Sequence, residues 1–313
     1  MTGKSATSGR ISWLDWIRFG PFLSQLVVIR KCNLSCSYCF EFDRTSEPVP
    51  YALLEERLAK LRQLRSWVVC LTGGEPTLHP EIDRLVGAMR EMGFRRRQMI
   101  TNGYRLTRES IESWNESGLT DLQLSIDGVK PNRTTVKVLD PLRPQLELLA
   151  RHARFKVVLS AVIGSTTPEE AGEVIRYARE RNFSPRVLLI HDVDGRIRLT
   201  PEELSAYRKV KRDLGGAGTE SGDYREHLIN EGAAPFHCRA GSRYLYVDEF
   251  GLVHWCSQTR EAFAKNLMSY TPDDLRAQFD TGKSCNPGCS IGCARTASAY
   301  DEWRGQPARS PSS

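Results

Sequence analysis

Three cysteines fall within eight residues, Cys32-Asn33-Leu34-Ser35-Cys36-Ser37-Tyr38-Cys39, separated by three residues and then by two. Thiolates are soft ligands that select zinc, copper(I) and iron–sulfur centres. A structural zinc ion takes four protein ligands, whereas iron–sulfur clusters are held by cysteine sulfur. A compact triplet therefore fills three positions of a four-metal cluster and leaves one metal open to react. Five further cysteines come late in the chain, at Cys238, Cys256, Cys285, Cys289 and Cys293. The ninth, Cys70, stands in the apolar run Val68-Val69-Cys70-Leu71 and reads as a core residue. An odd total argues against a fully paired disulfide framework. With no secretory apolar region after Met1, the thiols point to a reducing, cytoplasmic setting.

Four other short segments carry chemistry-bearing side chains, each just after an apolar run: Gly73-Gly74-Glu75, Thr101-Asn102-Gly103, Ser125-Ile126-Asp127-Gly128 and His191-Asp192-Val193-Asp194. Two glycines let backbone come close to a ligand, and Glu75 brings a charge to a helix entry. Asn-Gly and Asp-Gly are also common turn formers, so simple turn chemistry competes at Asn102 and Asp127. His191 and Asp192 are candidates for substrate contact or for general acid/base work.

The elements that must position these residues follow from periodicity. Short apolar runs alternate with amphipathic segments at intervals of roughly thirty residues, the rhythm of βα units. Six strands are expected near residues 25–29, 68–72, 97–101, 121–126, 156–162 and 186–190. Helices are expected near 52–64, 81–92, 108–117, 144–152 and 168–181, with one more near 201–213. Strands alternating with helices imply a parallel sheet, whose ligands lie beyond the carboxyl ends of the strands. All four polar segments sit at such ends. The run Gly215-Gly216-Ala217-Gly218 reads as a linker, and 305–313, rich in Pro and Ser, as a tail.

Composition excludes several classes. Lys plus Arg (44) exceeds Asp plus Glu (38) by six, a mild and dispersed excess. Its densest run, Arg95-Arg96-Arg97, reads as a solvated patch, and nucleic-acid binding would need a stronger basic stripe. No stretch is long and apolar enough to span a bilayer. Trp13, Trp16, Phe19 and Phe22 could cap an open barrel but read as packing residues.

On Cys32, Cys36, Tyr38 and Cys39, joined to the βα count, the chain resembles the radical S-adenosylmethionine (SAM) superfamily, over roughly residues 25–194. The resemblance implies an α/β fold, a partial (βα)6 TIM-like barrel. On it Cys32, Cys36 and Cys39 hold a 4Fe-4S cluster, and SAM chelates the fourth iron. It further implies that Tyr38, Gly73, Gly74, Glu75, Asn102, Ser125 and Asp127 lie about bound SAM. Reductive cleavage would yield a 5′-deoxyadenosyl radical that abstracts hydrogen from substrate, with electrons from a low-potential donor such as flavodoxin or ferredoxin.

The distal cysteines carry a second likeness. Cys238, twelve residues, Gly251, four residues and Cys256 resemble the opening of the auxiliary-cluster region called SPASM or, in shorter form, twitch. Arms at 244–247 and 252–255 would form a hairpin bringing both thiols to one centre. The spacing of Cys285, Cys289 and Cys293 departs from that family pattern. Five thiols suit one auxiliary 4Fe-4S cluster with one thiol surplus, and spacing does not assign which. The expected organisation is an N-terminal extension (1–24), barrel (25–200), helix and linker (201–234), small cysteine-rich auxiliary-cluster domain (235–300) and tail (301–313). About two dozen residues precede the first strand, too few for a leader-binding domain, which favours a small-molecule substrate over a peptide. Oxidation or bond formation assisted by the auxiliary cluster is expected. The alternatives are epimerisation with the surplus cysteine as hydrogen donor, peptide maturation, and a non-catalytic zinc-binding protein.

Overall fold

The computed structural model describes residues 11–39, 41–190, 197, 199–213 and 224–299. The linker at 215–218 and the tail at 305–313 lie outside the described residues. After a short helix α1 (Trp13–Phe19), six strands alternate with helices: β1 (Leu23–Ile29), α2 (Tyr51–Gln63), β2 (Val68–Gly73), α3 (Ile82–Glu91), β3 (Arg96–Thr101), α4 (Arg108–Ser117), β4 (Asp121–Ser125), α5 (Leu139–His152), β5 (Lys156–Ile163), α6 (Pro168–Glu180) and β6 (Ser184–Leu189). Each strand pairs in parallel with the next, the arrangement of a partial (βα)6 barrel. All seven residues of β1 are buried, as expected of a parallel strand covered on both faces. Leu26 and Val28 face the helix layer and its large core, while Leu23 and Val27 face a second, smaller core.

Local signals explain most boundaries. Thr107 and Ser110 form a capping box at the start of α4, and Gly118, at φ 87°, ends it. Thr167 caps α6 directly before Pro168. The start of α5 differs from the sequence expectation, which placed it at Pro144. Leu139 and Leu142 are fully buried, and each contributes roughly 1.5–3 kcal/mol. Together they outweigh the ~3 kcal/mol cost of a proline inside a helix. Helix α1 was not expected either; Ser12 caps it, accepting from Asp15 N.

Beyond β6 come α7 (Pro201–Asp213), α8 (Tyr224–Glu231), β7 (Tyr244–Val247), β8 (Leu252–His254), β9 (Lys265–Asn266), α9 (Pro272–Asp280) and α10 (Gly292–Ala299). Strand β7 pairs in parallel with the free edge of β1, Leu23 opposite Tyr244 through Leu26 opposite Val247. Strands β8 and β9 follow antiparallel, so the order is β6-β5-β4-β3-β2-β1-β7-β8-β9 in one sheet. The cysteine-bearing C-terminal segment thus extends the barrel sheet, and Cys238, Cys256 and Cys289 share the smaller core with Leu23, Val27 and Cys70. Among the described residues no helix is long and apolar enough to cross a membrane.

The β7–β8 turn is held by Asp248, which is buried. Its Oδ1 accepts from Phe250 N (3.0 Å) and Leu252 N (2.8 Å), and its Oδ2 accepts from His254 Nε2 at 2.8 Å. Arg57 of α2 donates to Glu249 O at 3.1 Å, tying the barrel helices to the same turn. Asp248→Ala leaves these donors without their acceptor, and each orphaned buried group costs roughly 1–3 kcal/mol. A urea titration should show the unfolding midpoint clearly lowered; an unchanged midpoint would mean that the turn does not depend on this carboxylate.

Candidate active site

Strand β1 runs out through Ile29 and Arg30 into the cysteine loop, which several independent contacts hold in place. Cys32 N donates to Asp43 O (3.1 Å), Asp43 N to Arg30 O (3.0 Å) and Cys39 N to Cys36 O (3.1 Å). From the loop after β4, Thr134 O accepts from Ser37 N at 3.1 Å and Thr135 Oγ1 lies 3.8 Å from Cys36 Sγ. All three thiols are free and line one cavity, with Thr72, Gly73, Gly74, Glu75, Thr101, Asn102, Ser125 and Lys137. Burial pushes the Cys32 and Cys39 thiols up, so a cationic centre is needed to draw them into the thiolate form. Three soft sulfur donors on one open cavity suit a four-iron cluster with one iron left free.

Gly73 and Gly74 are required for a reason the sequence did not disclose. A β-carbon on Gly73, whose φ is +134°, would lie 2.0 Å from Ile29 O, and one on Gly74 would lie 2.2 Å from Arg30 O. Their first use is to let the exit of β2 close on the backbone leading to Cys32, through Gly74 N to Ile29 O (2.8 Å) and Glu75 N to Lys31 O (3.0 Å). Glu75 is almost wholly buried. Its Oε1 accepts from Thr77 N, Thr77 Oγ1 and Thr101 Oγ1, and its Oε2 from Asn102 N at 2.8 Å. Burial raises its pKa while these donors pull it back. The carboxylate therefore clamps the ends of β2 and β3 together. Asn102 extends the clamp to the loop, its Nδ2 donating to Asn33 Oδ1 at 2.8 Å and lying 3.8 Å from Cys32 Sγ.

Asp127 plays the corresponding part on the other side. Its Oδ2 accepts from Tyr38 Oη (2.6 Å) and Thr135 Oγ1 (2.5 Å), and Lys137 Nζ lies 3.8 Å away. Its Oδ1 is buried without a hydrogen-bond partner among the described residues. Ser125 reaches the cavity wall, whereas Tyr38 and Asp127 stand behind it. Lys137 was missed in the sequence, where its only signal is a lone cation in Val136-Lys137-Val138-Leu139. Burial works against its ammonium, but Asp127 and Tyr38 outweigh that and hold it above its ordinary value. Lys137 thus brings an ammonium, paired with Asp127, to the cavity wall. His191 and Asp192 lie outside the described residues.

The structure brings the distal cysteines close together. Asn286 accepts from Cys238 N and donates to Phe236 O at 2.8 Å, while its carbonyl accepts from Cys289 N at 3.1 Å, so one side chain joins the two cysteine segments. Cys238, Cys256 and Cys289 pack in one small core, and the Cys289 thiol lies near Cys285 as well. Lys283 stands beside it, its ammonium pushed down to about 8 by burial against the pull of Cys238 and Cys285. Cys293, in the first turn of α10, packs against the same small core, with Arg186 and Arg225 near its thiol, and takes a weak contact from Gln25 Nε2 at 3.7 Å. Among the described residues no three His, Cys, Asp or Glu side chains are arranged to hold a single metal ion.

Known proteins agree with this arrangement. A family model described as the radical SAM superfamily matches residues 26–196, more than half of the chain. The 7,8-dihydro-6-hydroxymethylpterin dimethyltransferase of Methanocaldococcus jannaschii is 27% identical over 267 residues, covering 73% of this chain and 52% of the relative. A GTP 3′,8-cyclase of Stenotrophomonas maltophilia is 30% identical over 179 residues, covering 54% of each. The chain spans about half the length of these curated relatives. Among solved structures, Streptococcus suis SuiB bound to precursor peptide SuiA superposes with a TM-score of 0.66 at 18% identity, over 85% of this chain and 67% of that one. The structure of anSMEcpe with bound AdoMet and Cp18Cys peptide does so with a TM-score of 0.60 at 18% identity, over 91% and 98%. At such identities the likeness is one of fold. Since the family match covers the βα units whose carboxyl ends carry the cysteine triplet, the chain belongs to the radical SAM superfamily.

Proposed function

We propose that this radical SAM enzyme holds a 4Fe-4S cluster on Cys32, Cys36 and Cys39, binds SAM in the adjoining cavity, and abstracts hydrogen from a polar substrate. The observation that carries this reading is the convergence of three free thiols with the ends of β2, β3 and β4 on one cavity. Bound there, a reduced cluster supplies the single electron for reductive cleavage of SAM, the electron coming from a donor such as flavodoxin or ferredoxin. The chain's own residues position and neutralise. Lys137 offers a counter-charge to a carboxylate, Asn102 holds the loop beside Cys32, and Asp127 fixes Tyr38 and with it the Cys36-to-Cys39 turn.

The substrate side is read from the strands. Ser125, Ser160 and Arg186 lie opposite one another in register on β4, β5 and β6, so all three face the side on which Ser125 meets the cavity. Ser160 Oγ is buried without a partner among the described residues, and Arg186 donates to Gln123 Oε1 at 2.9 Å. A wall of this kind suits a small polar molecule. The relatives' names, for a pterin and for GTP, favour that class, while the SuiB–SuiA complex keeps a peptide as the alternative.

In this reading Cys238, Cys256, Cys285 and Cys289 carry a twitch-like auxiliary 4Fe-4S cluster, whose use is to take up the electron lost in oxidation or bond formation. The position of Cys293, 3.7 Å from Gln25 Nε2 on the inner side of β1, favours a second reading in which its S–H returns hydrogen to the substrate carbon.

Four outcomes test these assignments. Cys36→Ala should abolish formation of 5′-deoxyadenosine and remove one cluster's iron and sulfide; retained cleavage would refute the first cluster site. Cys289→Ala should lose the second cluster's iron and its electron-paramagnetic signal, whereas Cys293→Ala should keep both clusters. In deuterated buffer, an inverted product carbon bearing solvent deuterium that disappears in Cys293→Ala would decide for hydrogen return over oxidation. Lys137→Met removes a buried counter-charge, an interaction of about 1.5–3 kcal/mol, so the Kd for SAM should rise about ten- to a hundredfold. Unchanged SAM affinity would place Lys137 outside the binding site.

A further inference from the structure

Two features of the sequence have no part in the cavity just described: the aromatic pair Trp13 and Trp16, and the arginine run at 95–97. The fold brings them together at the end of the barrel opposite the cysteine loop. Trp13, Trp16, Arg62, Gln63, Arg65, Ser66, Trp67, Gly93 and Arg95 line a groove of about 720 Å³ where the chain enters β2 and β3. Trp13 and Trp16 stack with ring centroids 5.1 Å apart, and Trp16 reaches Trp67 at 6.5 Å. Trp16 Nε1 donates to Arg65 O at 2.7 Å, which fixes the groove floor. Trp13 remains 60% exposed and Trp67 39%.

We propose that this groove docks an acidic peptide segment of a partner protein, anchored by an apolar side chain. Arg62, Arg65 and Arg95 all line it, and none of the nine lining residues is Asp or Glu. Of the neighbouring arginines, Arg96 pairs with Asp121 and Arg97 donates to Gly118 O, so the groove's cations are a separate set. Three guanidinium groups gathered without acidic residues create a positive field that an anionic occupant relieves. Leu14 and Ile17, 77% and 40% exposed, add apolar surface to helix α1, which carries Trp13 and Trp16.

The shape selects among anionic partners. An anionic bilayer is met by a convex apolar face that inserts between head groups, whereas these tryptophans line a concavity. Single-stranded nucleic acid stacks on free aromatic faces. Here Trp13 covers a face of Trp16, whose N–H is tied to backbone, and Trp67 meets Phe22 edge-on at 5.5 Å. A peptide needs only an apolar pocket and cations at its border. A strand of six residues spans about 20 Å, so the groove recruits a partner without touching the chemistry.

A display library of random dodecapeptides panned on the full-length protein tests this. Enriched peptides should combine Asp and Glu with Leu, Ile or Phe, and a synthetic representative should quench tryptophan fluorescence on binding. Its Kd should rise at least about tenfold in Arg62→Glu/Arg95→Glu, in Trp67→Ala and on adding salt. The charge-reversed variant should still cleave SAM at the normal rate, which shows it to be folded. The proposal is overturned if no acidic peptide is enriched, or if enriched peptides bind the charge-reversed variant equally well. It is also overturned if the groove variants instead lose binding to phosphatidylglycerol–phosphatidylcholine vesicles or to an oligo(dT) probe.

Discussion

The carbonyl oxygens of Ile29 and Arg30 occupy the space that a β-carbon on Gly73 or Gly74 would need, and this close approach organises the reactive end of the barrel. Because the exit of β2 can lie on the exit of β1, Glu75 is carried inward to where Thr101 and Asn102 donate to it. Asn102 in turn reaches the cysteine loop. One steric permission thereby links the ends of three strands to the residues that carry the thiols. A side chain at either glycine would separate the first two strand ends and release everything built on them.

The same strand serves both cysteine sets. β1 is hydrogen-bonded to β2 on one side and to β7 on the other, so the triplet leaves from its carboxyl end while the hairpin before Cys256 lies along its free edge. Asp248 ties the hairpin's own turn together, and Arg57 holds that turn to the barrel by donating to backbone carbonyls. Buried polar groups are used here for position: each carboxylate of the framework accepts two or more donors, which is how charge is tolerated away from water. Lys137 differs, since its ammonium pairs with Asp127 and also lines the cavity.

Much of this was legible beforehand. The six parallel strands lie where the βα rhythm placed them, because alternation over a few residues reports burial on two faces. The hairpin at Tyr244 and Leu252 was likewise marked by its turn. The start of α5 was not, since Pro144 is a strong local signal that the burial of Leu139 and Leu142 overrides. Glu75, expected to lie about bound SAM, has both carboxylate oxygens engaged by protein donors. Asp127, read as a turn former or ligand contact, is the buried partner of Tyr38 and Thr135.

What the sequence determined alone is the chemistry on offer and its local framing: three thiols at a spacing that suits an open cluster, and strands and helices whose periods of two and 3.6 depend only on near neighbours. The tertiary structure decided which distant residues meet. It gathered Cys238, Cys256 and Cys289 in one core with Cys293 packed against it, brought Lys137 to the cavity, and joined Trp13 to Arg95 at the opposite end. Those meetings follow from the order of strands across a single sheet, a relation between segments as distant as Leu23 and Tyr244 that no local pattern encodes.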